Sequence, residues 1–290
     1  MNSKQDITAL LSYHYCKRWE LDSYVAQKFG KYPPKIFLDC GAWSAFTQGV
    51  GIDIDSYIEF IEKYAHHFSV YSNLDDMGSP EQTYANQRYM EDAGLSPLPV
   101  FHTGEPWEVF EKYCRDYDYV AIGKIVPYTQ RKKVIMPWIA KCFRIAGDTK
   151  IHGFGVTNWE MLKSFGWHSV DSSSWGSGFR YGQIKLFDAR RGEFVTLKLG
   201  QHANWIANSD LVRSYGFREI DFASRKRNTR SLLATLSALS YYRARDYLNT
   251  FKERPLIMYL ADTAPKTFKN LTDGLDLVFG IPPAISEVEK

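Results

Sequence analysis

Short runs of apolar and β-branched residues recur along the chain, each closed by small or polar residues and followed by apolar positions at helical spacing. This alternation predicts strands at residues 7–15, 35–39, 68–73, 98–102, 119–123, 150–154, 169–171 and 256–260. Between them it predicts helices at 56–67, 80–92, 106–115, 136–145 and 158–165, the first with Tyr57, Phe60, Ile61 and Tyr64 on one face. Pro80 behind Ser79, Pro106 behind Glu105, and Asn158 ahead of Glu160 supply helix-start signals. Eight strands alternating with helices predict one α/β domain over residues 1–290, a TIM (β/α)8 barrel. No G-x-G-x-x-G follows the first strand, which argues against a dinucleotide-binding Rossmann sheet.

After Asp171 the rhythm breaks. Residues 183–187 and 193–198 flank Asp188 to Gly192 as a β-hairpin with a loop longer than two residues. A long helical stretch over 224–251 then precedes the last strand, so 176–254 reads as a hairpin and basic helical insertion. The prolines of 281–286 extend the tail.

Composition excludes disorder: of 290 residues 44% are hydrophobic, and 36 Lys+Arg nearly balance 33 Asp+Glu. No apolar run is long enough to cross a bilayer, and the Lys4-Gln5-Asp6 start lacks a signal peptide's apolar region. The expectation is a soluble, cytoplasmic protein. Cys16, Cys40, Cys114 and Cys142 are widely spaced, which suggests neither a disulfide framework nor a structural zinc site. Charge is uneven, with a net +6 from Arg213 to Arg254 and −3 elsewhere. Within that block Arg225, Lys226, Arg227, Arg230, Arg243 and Arg245 are candidates for nucleic-acid phosphates, with Trp205, Tyr241 and Tyr242 as stacking or wedge residues. A solvated helix face is the alternative.

In a parallel barrel the active site lies at the carboxyl ends of the strands, and here those ends are acidic. The second strand runs into Phe37-Leu38-Asp39-Cys40-Gly41-Ala42-Trp43-Ser44, the third into Asn73-Leu74-Asp75-Asp76-Met77, and the seventh into Ser169-Val170-Asp171-Ser172. Without a Lys or Arg beside them, these acids suggest a shared site with one nucleophile and one acid/base. Helix capping is the plainer alternative. Asp75 and Asp76 are adjacent and so point opposite ways, one functional and the other a cap or turn residue. Gly41, Gly153 and Gly155 would admit a flat ligand. His14, His102 and His152 near strand ends could bind a metal, but no H-x-H or H-E-x-x-H spacing supports one, so none is expected. Cys40 reads as a small buried filler.

These strand-end motifs resemble the tRNA-guanine transglycosylase superfamily, and most closely the phage DNA-guanine transglycosylases of the DpdA type. The segment around Asp39 looks like D-S-G-G-F-Q, whose Asp is the general acid/base. Leu74-Asp75-Asp76 looks like F-D-E, whose Asp reads the guanine edge, and Gly166 to Asp171 looks like the segment with the nucleophilic Asp. Val100-Phe101-His102 stands where the family has a base-contacting Gln. Ala121-Ile122-Gly123 stands where the family has a Gly-rich strand end, and Ile151 to Gly155 resembles its M/F-G-x-G strand. The likeness covers residues 35–175. Cys40, Trp43 and His102 replace the family's Ser, Phe and Gln. The C-x-C-x-x-C zinc motif of the tRNA enzymes is absent, which favours DNA over tRNA.

The resemblance implies exchange of guanine in DNA for a 7-deazaguanine base such as 7-cyano-7-deazaguanine. Asp171 would be the nucleophile and Asp39 the acid/base. Asp75, Asp76, Gly41, Trp43, His102, Gly123, Gly153 and Gly155 would bind the base, with Trp43 and Phe101 sandwiching it. Such chemistry uses no cofactor and no ATP. Duplex DNA, its guanine flipped out, is then the partner, with accessory phage proteins and a host cytoplasm if the chain is phage-encoded. The rivals are a tRNA-directed enzyme, a metal-dependent barrel hydrolase, a glycoside hydrolase and a non-catalytic nucleic-acid-binding protein.

Overall fold

A computed structural model describes residues 7–176, 181–223, 229–262 and 266–278. The chain forms two compact units. One comprises Met1–Tyr24, Pro33–Ser172 and Leu248–Asp262, the other Val25–Tyr32, Ser173–Tyr247 and Thr263–Lys290.

The first unit is an α/β fold built on eight parallel strands: β1 (Ile7–Ser12), β2 (Pro34–Asp39), β3 (Phe68–Tyr71), β4 (Val100–His102), β5 (Tyr119–Gly123), β6 (Lys150–Gly153), β7 (Ser169–Ser172) and, last in the chain, β10 (Ile257–Ala261). Their order is β3-β2-β1-β10-β7-β6-β5-β4. The near-continuous apolar character of strands such as β1 and β5 reflects burial on both faces, as a parallel sheet covered by helices requires. The sheet curls until Phe37 of β2 meets His152 of β6, with ring centroids 4.6 Å apart.

Inside the curve pack Leu10, Phe37, Leu98, Val100, Ala121 and Tyr259. At the seam the end strands β3 and β4 share no ladder among the described residues. One parallel bridge, Ser72 with Leu98, joins them, with Leu98 N–H donating to Tyr71 O (2.8 Å) and Asn73 N–H to Leu98 O (2.9 Å). The architecture is TIM-like, but the sheet is not closed by continuous pairing. Pro99 has no N–H to donate, which starts β4 at Val100 rather than at the expected residue 98. The first strand likewise stops at Ser12, because Tyr13 opens a helical turn and buries its ring against Tyr57 and Phe60.

Ser79 and Asn158 cap their helices as signalled, whereas Pro106 stands just outside its helix as an N-cap without a side-chain bond, and the first predicted helix starts at Ile54, two residues before the expected position, behind Asp53. Asp53 accepts from Ser56 N–H at 2.9 Å, Ser79 from Gln82 N–H at 3.1 Å behind Pro80, and Asn158 from Glu160 N–H at 3.0 Å. They begin helices Ile54–Lys63, Pro80–Asp92 and Trp159–Ser164.

In the second unit, β8 (Gln183–Asp188) and β9 (Glu193–Lys198) pair antiparallel in unbroken register from Gln183 with Lys198 to Asp188 with Glu193. Their apolar face packs Ile184, Leu186 and Leu197 against Trp205, Val212 and Leu236. The described helix runs Thr229–Asn249. The predicted start of that helix at 224 and the predicted extended tail at 281–286 lie outside the described residues.

Candidate active site

Strand alternation decides which side chains enter the mouth of the curled sheet. Because Phe37, Val100, Ala121 and Tyr259 face inward, residues two further along each strand also face inward. That places Asp39, His102 and Gly123 at the carboxyl ends, with Asp171 two residues beyond inward-facing Ser169. Asp39 is half-buried. Its carboxyl is pushed well above the usual carboxylate range by burial first and then by the charges of Asp75 and Asp171, with the Gly41 backbone opposing. The three predicted acids therefore lie close enough for Asp39 to feel the charges of the other two.

Asp171 is buried, and its Oδ1 accepts from Gly155 N–H at 2.6 Å. Its Oδ2 has no partner among the described residues. The His152 Nε2 atom lies 3.6 Å from Asp171 Oδ1, beyond hydrogen-bond reach, and is itself unpartnered. His152 is fully buried, and Nδ1 contacts Ser169 Oγ at 2.6 Å, which meets Tyr119 OH at 2.5 Å. Burial lowers the His152 pKa despite the nearby Asp171 carboxylate, so the ring is neutral beneath that residue.

Asp75 is engaged on both oxygens. The Cys40 thiol donates to Oδ1 at 2.7 Å, and His102 Nε2 lies 2.8 Å from Oδ2. On the other side of the ring, His102 Nδ1 meets Glu105 Oε1 at 2.7 Å. Burial alone would lower the His102 pKa, but hydrogen bonds to Asp75 and Glu105, reinforced by their charges, outweigh it and lift the ring to about 9. His102 is thus an imidazolium at neutral pH, donating to two carboxylates. Burial, and then Asp75 and Asp39, push the Cys40 thiol well up, leaving it a small filler rather than a nucleophile.

Asp76 is the turn residue of its pair. Its Oδ1 accepts from Gly78 N–H and Ser79 N–H, both at 2.8 Å, and the residue lines the cavity beside Asp75. At each of the strand-end glycines a side chain would meet the protein's own atoms. A Cβ on Gly41 would lie 2.4 Å from Ser12 Oγ, one on Gly123 3.0 Å from His102 Cδ2, and one on Gly153 2.5 Å from Trp167. Gly155, at φ +67°, would meet Val126 at 2.5 Å while its N–H serves Asp171.

Trp43 is 47% exposed on the helix Ala42–Thr47. Phe101 is fully buried, stacked on Trp138 and packed on Phe110, so it faces the helices and cannot sandwich a base at the mouth. Beside Asp75 opens a cavity of about 430 Å³ walled by Ala42, Phe46, Val50, Leu74 and Asn86.

Two further groups went unnoticed in the sequence. Glu105 reads there as a helix-start residue, yet it orders His102 from three positions away. Lys124, directly after β5, takes the left-handed φ of +57°, which is uncommon for a non-glycine residue, and its Nζ reaches Met77 O at 3.3 Å. A lysine following Ile122-Gly123 at a strand end was the available signal. His14, His102 and His152 do not converge as ligands: His102 is bonded on both ring nitrogens, His152 on one, and His14 faces Gln48 at 3.2 Å.

The basic segment is partly committed to its own unit. Arg243 bonds Ser214 Oγ (2.8 Å) and Ser214 O (2.7 Å) and lies 3.5 Å over the Tyr215 ring. Arg245 pairs with Asp246 at 2.6 Å and covers Tyr242. Trp205, Tyr241 and Tyr242 are buried and offer no stacking platform. Arg230 is exposed, while Arg225, Lys226 and Arg227 lie outside the described residues.

Comparison with protein-family models and with curated proteins finds no match.

Proposed function

We propose that the first unit is a (β/α)8 barrel whose mouth carries out base exchange on guanine in nucleic acid, with DNA as the polymer. What supports this most is the division of labour between Asp39 and Asp171. Asp39 is held towards its protonated form, and Asp171 is anchored on one oxygen with the other without a partner. Paired carboxyl groups in unlike environments are the arrangement that acid-assisted glycosyl transfer needs.

In this reading Asp171 Oδ2 attacks the anomeric carbon as the bond to the guanine nitrogen breaks through an oxocarbenium-like transition state. Asp39 gives its proton to the departing base. The incoming 7-deazaguanine then loses a ring N–H proton to Asp39. Its nitrogen attacks the same carbon, and the Asp171 carboxylate leaves. Each step balances without ATP. Asp75, oriented by Cys40 and His102, would accept from the base's N–H edge with its remaining lone pairs. The 430 Å³ cavity lined by Asp75 and Asp76, but not by Asp39 or Asp171, falls within the size range of small-molecule sites.

A guanine-containing duplex incubated with the protein and resolved on a denaturing gel tests the covalent step. A protein–DNA adduct that forms with the native chain and vanishes in Asp171→Asn is expected. An adduct that persists in Asp171→Asn would exclude this nucleophile. Repeating the incubation with tRNA decides the polymer.

A further inference from the structure

We propose that Asp22, His66 and His67 form a binding site for a divalent transition metal of the zinc class, separate from the acidic mouth. The turn Ala65–His67 folds so that two sequence-adjacent imidazoles, which diverge in extended backbone, converge on one point. His66 Nε2 lies 3.0 Å and His67 Nε2 2.7 Å from the same oxygen, Asp22 Oδ1. The two rings stand 4.1 Å apart at 42°. All three donor atoms fall within 4.8 Å of one another, and no other group of three such donors does so among the described residues.

Zinc binds His nitrogen and carboxylate oxygen at about 2.0–2.2 Å, which in tetrahedral geometry separates neighbouring donors by about 3.3 Å. The two Asp22–His spacings, 3.0 and 2.7 Å, need to widen by about 0.3 and 0.6 Å to admit the ion. Two imidazoles and one carboxylate suit zinc, cobalt or nickel better than calcium or magnesium, which prefer all-oxygen shells. Exposure of Asp22 and His66 leaves a fourth position for water. The neighbouring cation Lys63 is already paired with Glu20 at 3.4 Å.

Location argues for a structural role. His67 immediately precedes β3 and so lies at the amino end of that strand, opposite the mouth. A bound ion would tie the start of the helix at Leu21 to the turn feeding β3, and it would stabilise the fold because the unfolded chain has no preformed site. Nothing here depends on the chemistry of Asp39 and Asp171.

The test is calorimetric titration of the full-length protein with zinc chloride, with cobalt(II) as the spectroscopic probe, on the native chain, Asp22→Asn, and the double variant His66→Gln/His67→Gln. Asp22 and His66 are exposed and His67 partly buried, so far-ultraviolet circular dichroism checks that each variant is folded. The expected result is one zinc per chain, tetrahedral cobalt bands, a thermal midpoint raised by zinc, and affinity lowered more than about tenfold in both variants. Absence of stoichiometric binding by the native chain overturns the proposal. So does zinc affinity unchanged in the double variant, which would place the ion elsewhere.

Discussion

Asp39 at the end of β2 and His102 at the end of β4 both carry raised folded-state values, so each favours the folded state at low pH and loses that contribution as the pH rises, in different windows. Asp39 has a folded-state value raised above the ordinary 3.8, so its contribution is present below that pH and is lost as the pH rises. Asp39→Asn is therefore expected to raise the thermal midpoint at pH 7, with the difference closing towards pH 4. Base-exchange activity is expected to fall by about 10²–10⁴-fold, the range for loss of a general acid. Thermal melts at both pH values, beside an activity assay, check the pair. His102 is lifted from 6.5 to about 9, which favours the folded state below pH 6.5 and stops doing so as the pH passes through 9. Urea unfolding of the native chain should lose stability on the order of 3 kcal/mol across that window, and His102→Gln should lack this alkaline decline. Equal slopes in the two proteins would contradict an imidazolium between Asp75 and Glu105. Asp39, Asp75 and Asp171 were legible in the sequence because strand ends and small neighbours mark them. Glu105 was not, because only the fold shows that a residue read as a helix start turns back on His102.

At the scale of elements, the strand-end glycines are packing devices. Gly153→Ala would drive a methyl into Trp167 and Val156, at 2.5 and 2.7 Å from the new Cβ, and overpacking of this kind costs about 1–3 kcal/mol. Denaturant unfolding of that variant should show the loss. A change below about 0.5 kcal/mol would mean that β6 and Trp167 move apart freely. The alternation of apolar runs located every strand to within a few residues, because period and turn chemistry are local. Pro80–Asp92 was legible to the residue, from Pro80 behind its Ser79 cap. The seam was not legible: whether β3 and β4 pair depends on curvature summed over eight strands, and Pro99 limits the join to the bridge at Leu98. Phe101 was assigned to the wrong face because a buried strand is apolar on both sides, which erases the two-residue period.

For the whole molecule, a +6 block does not translate directly into a polymer-binding surface. Arg243 is held by Ser214 and Tyr215, so Arg243→Ala should cost about 1–2 kcal/mol of stability and leave nucleic-acid affinity unchanged. Arg230 is exposed, so Arg230→Ala should weaken binding evenly across sequences and reduce the salt slope by about one. Fluorescence anisotropy at several salt concentrations, beside a thermal melt, separates these two behaviours.

Base exchange itself is tested most directly by incubating labelled guanine or 7-cyano-7-deazaguanine with duplex DNA and, in parallel, tRNA, without ATP, using the native protein, Asp171→Asn and Asp39→Asn. Label should enter DNA with the native protein alone. Label entering neither polymer, or entering equally with Asp171→Asn, would contradict a transglycosylase built on these two carboxyl groups.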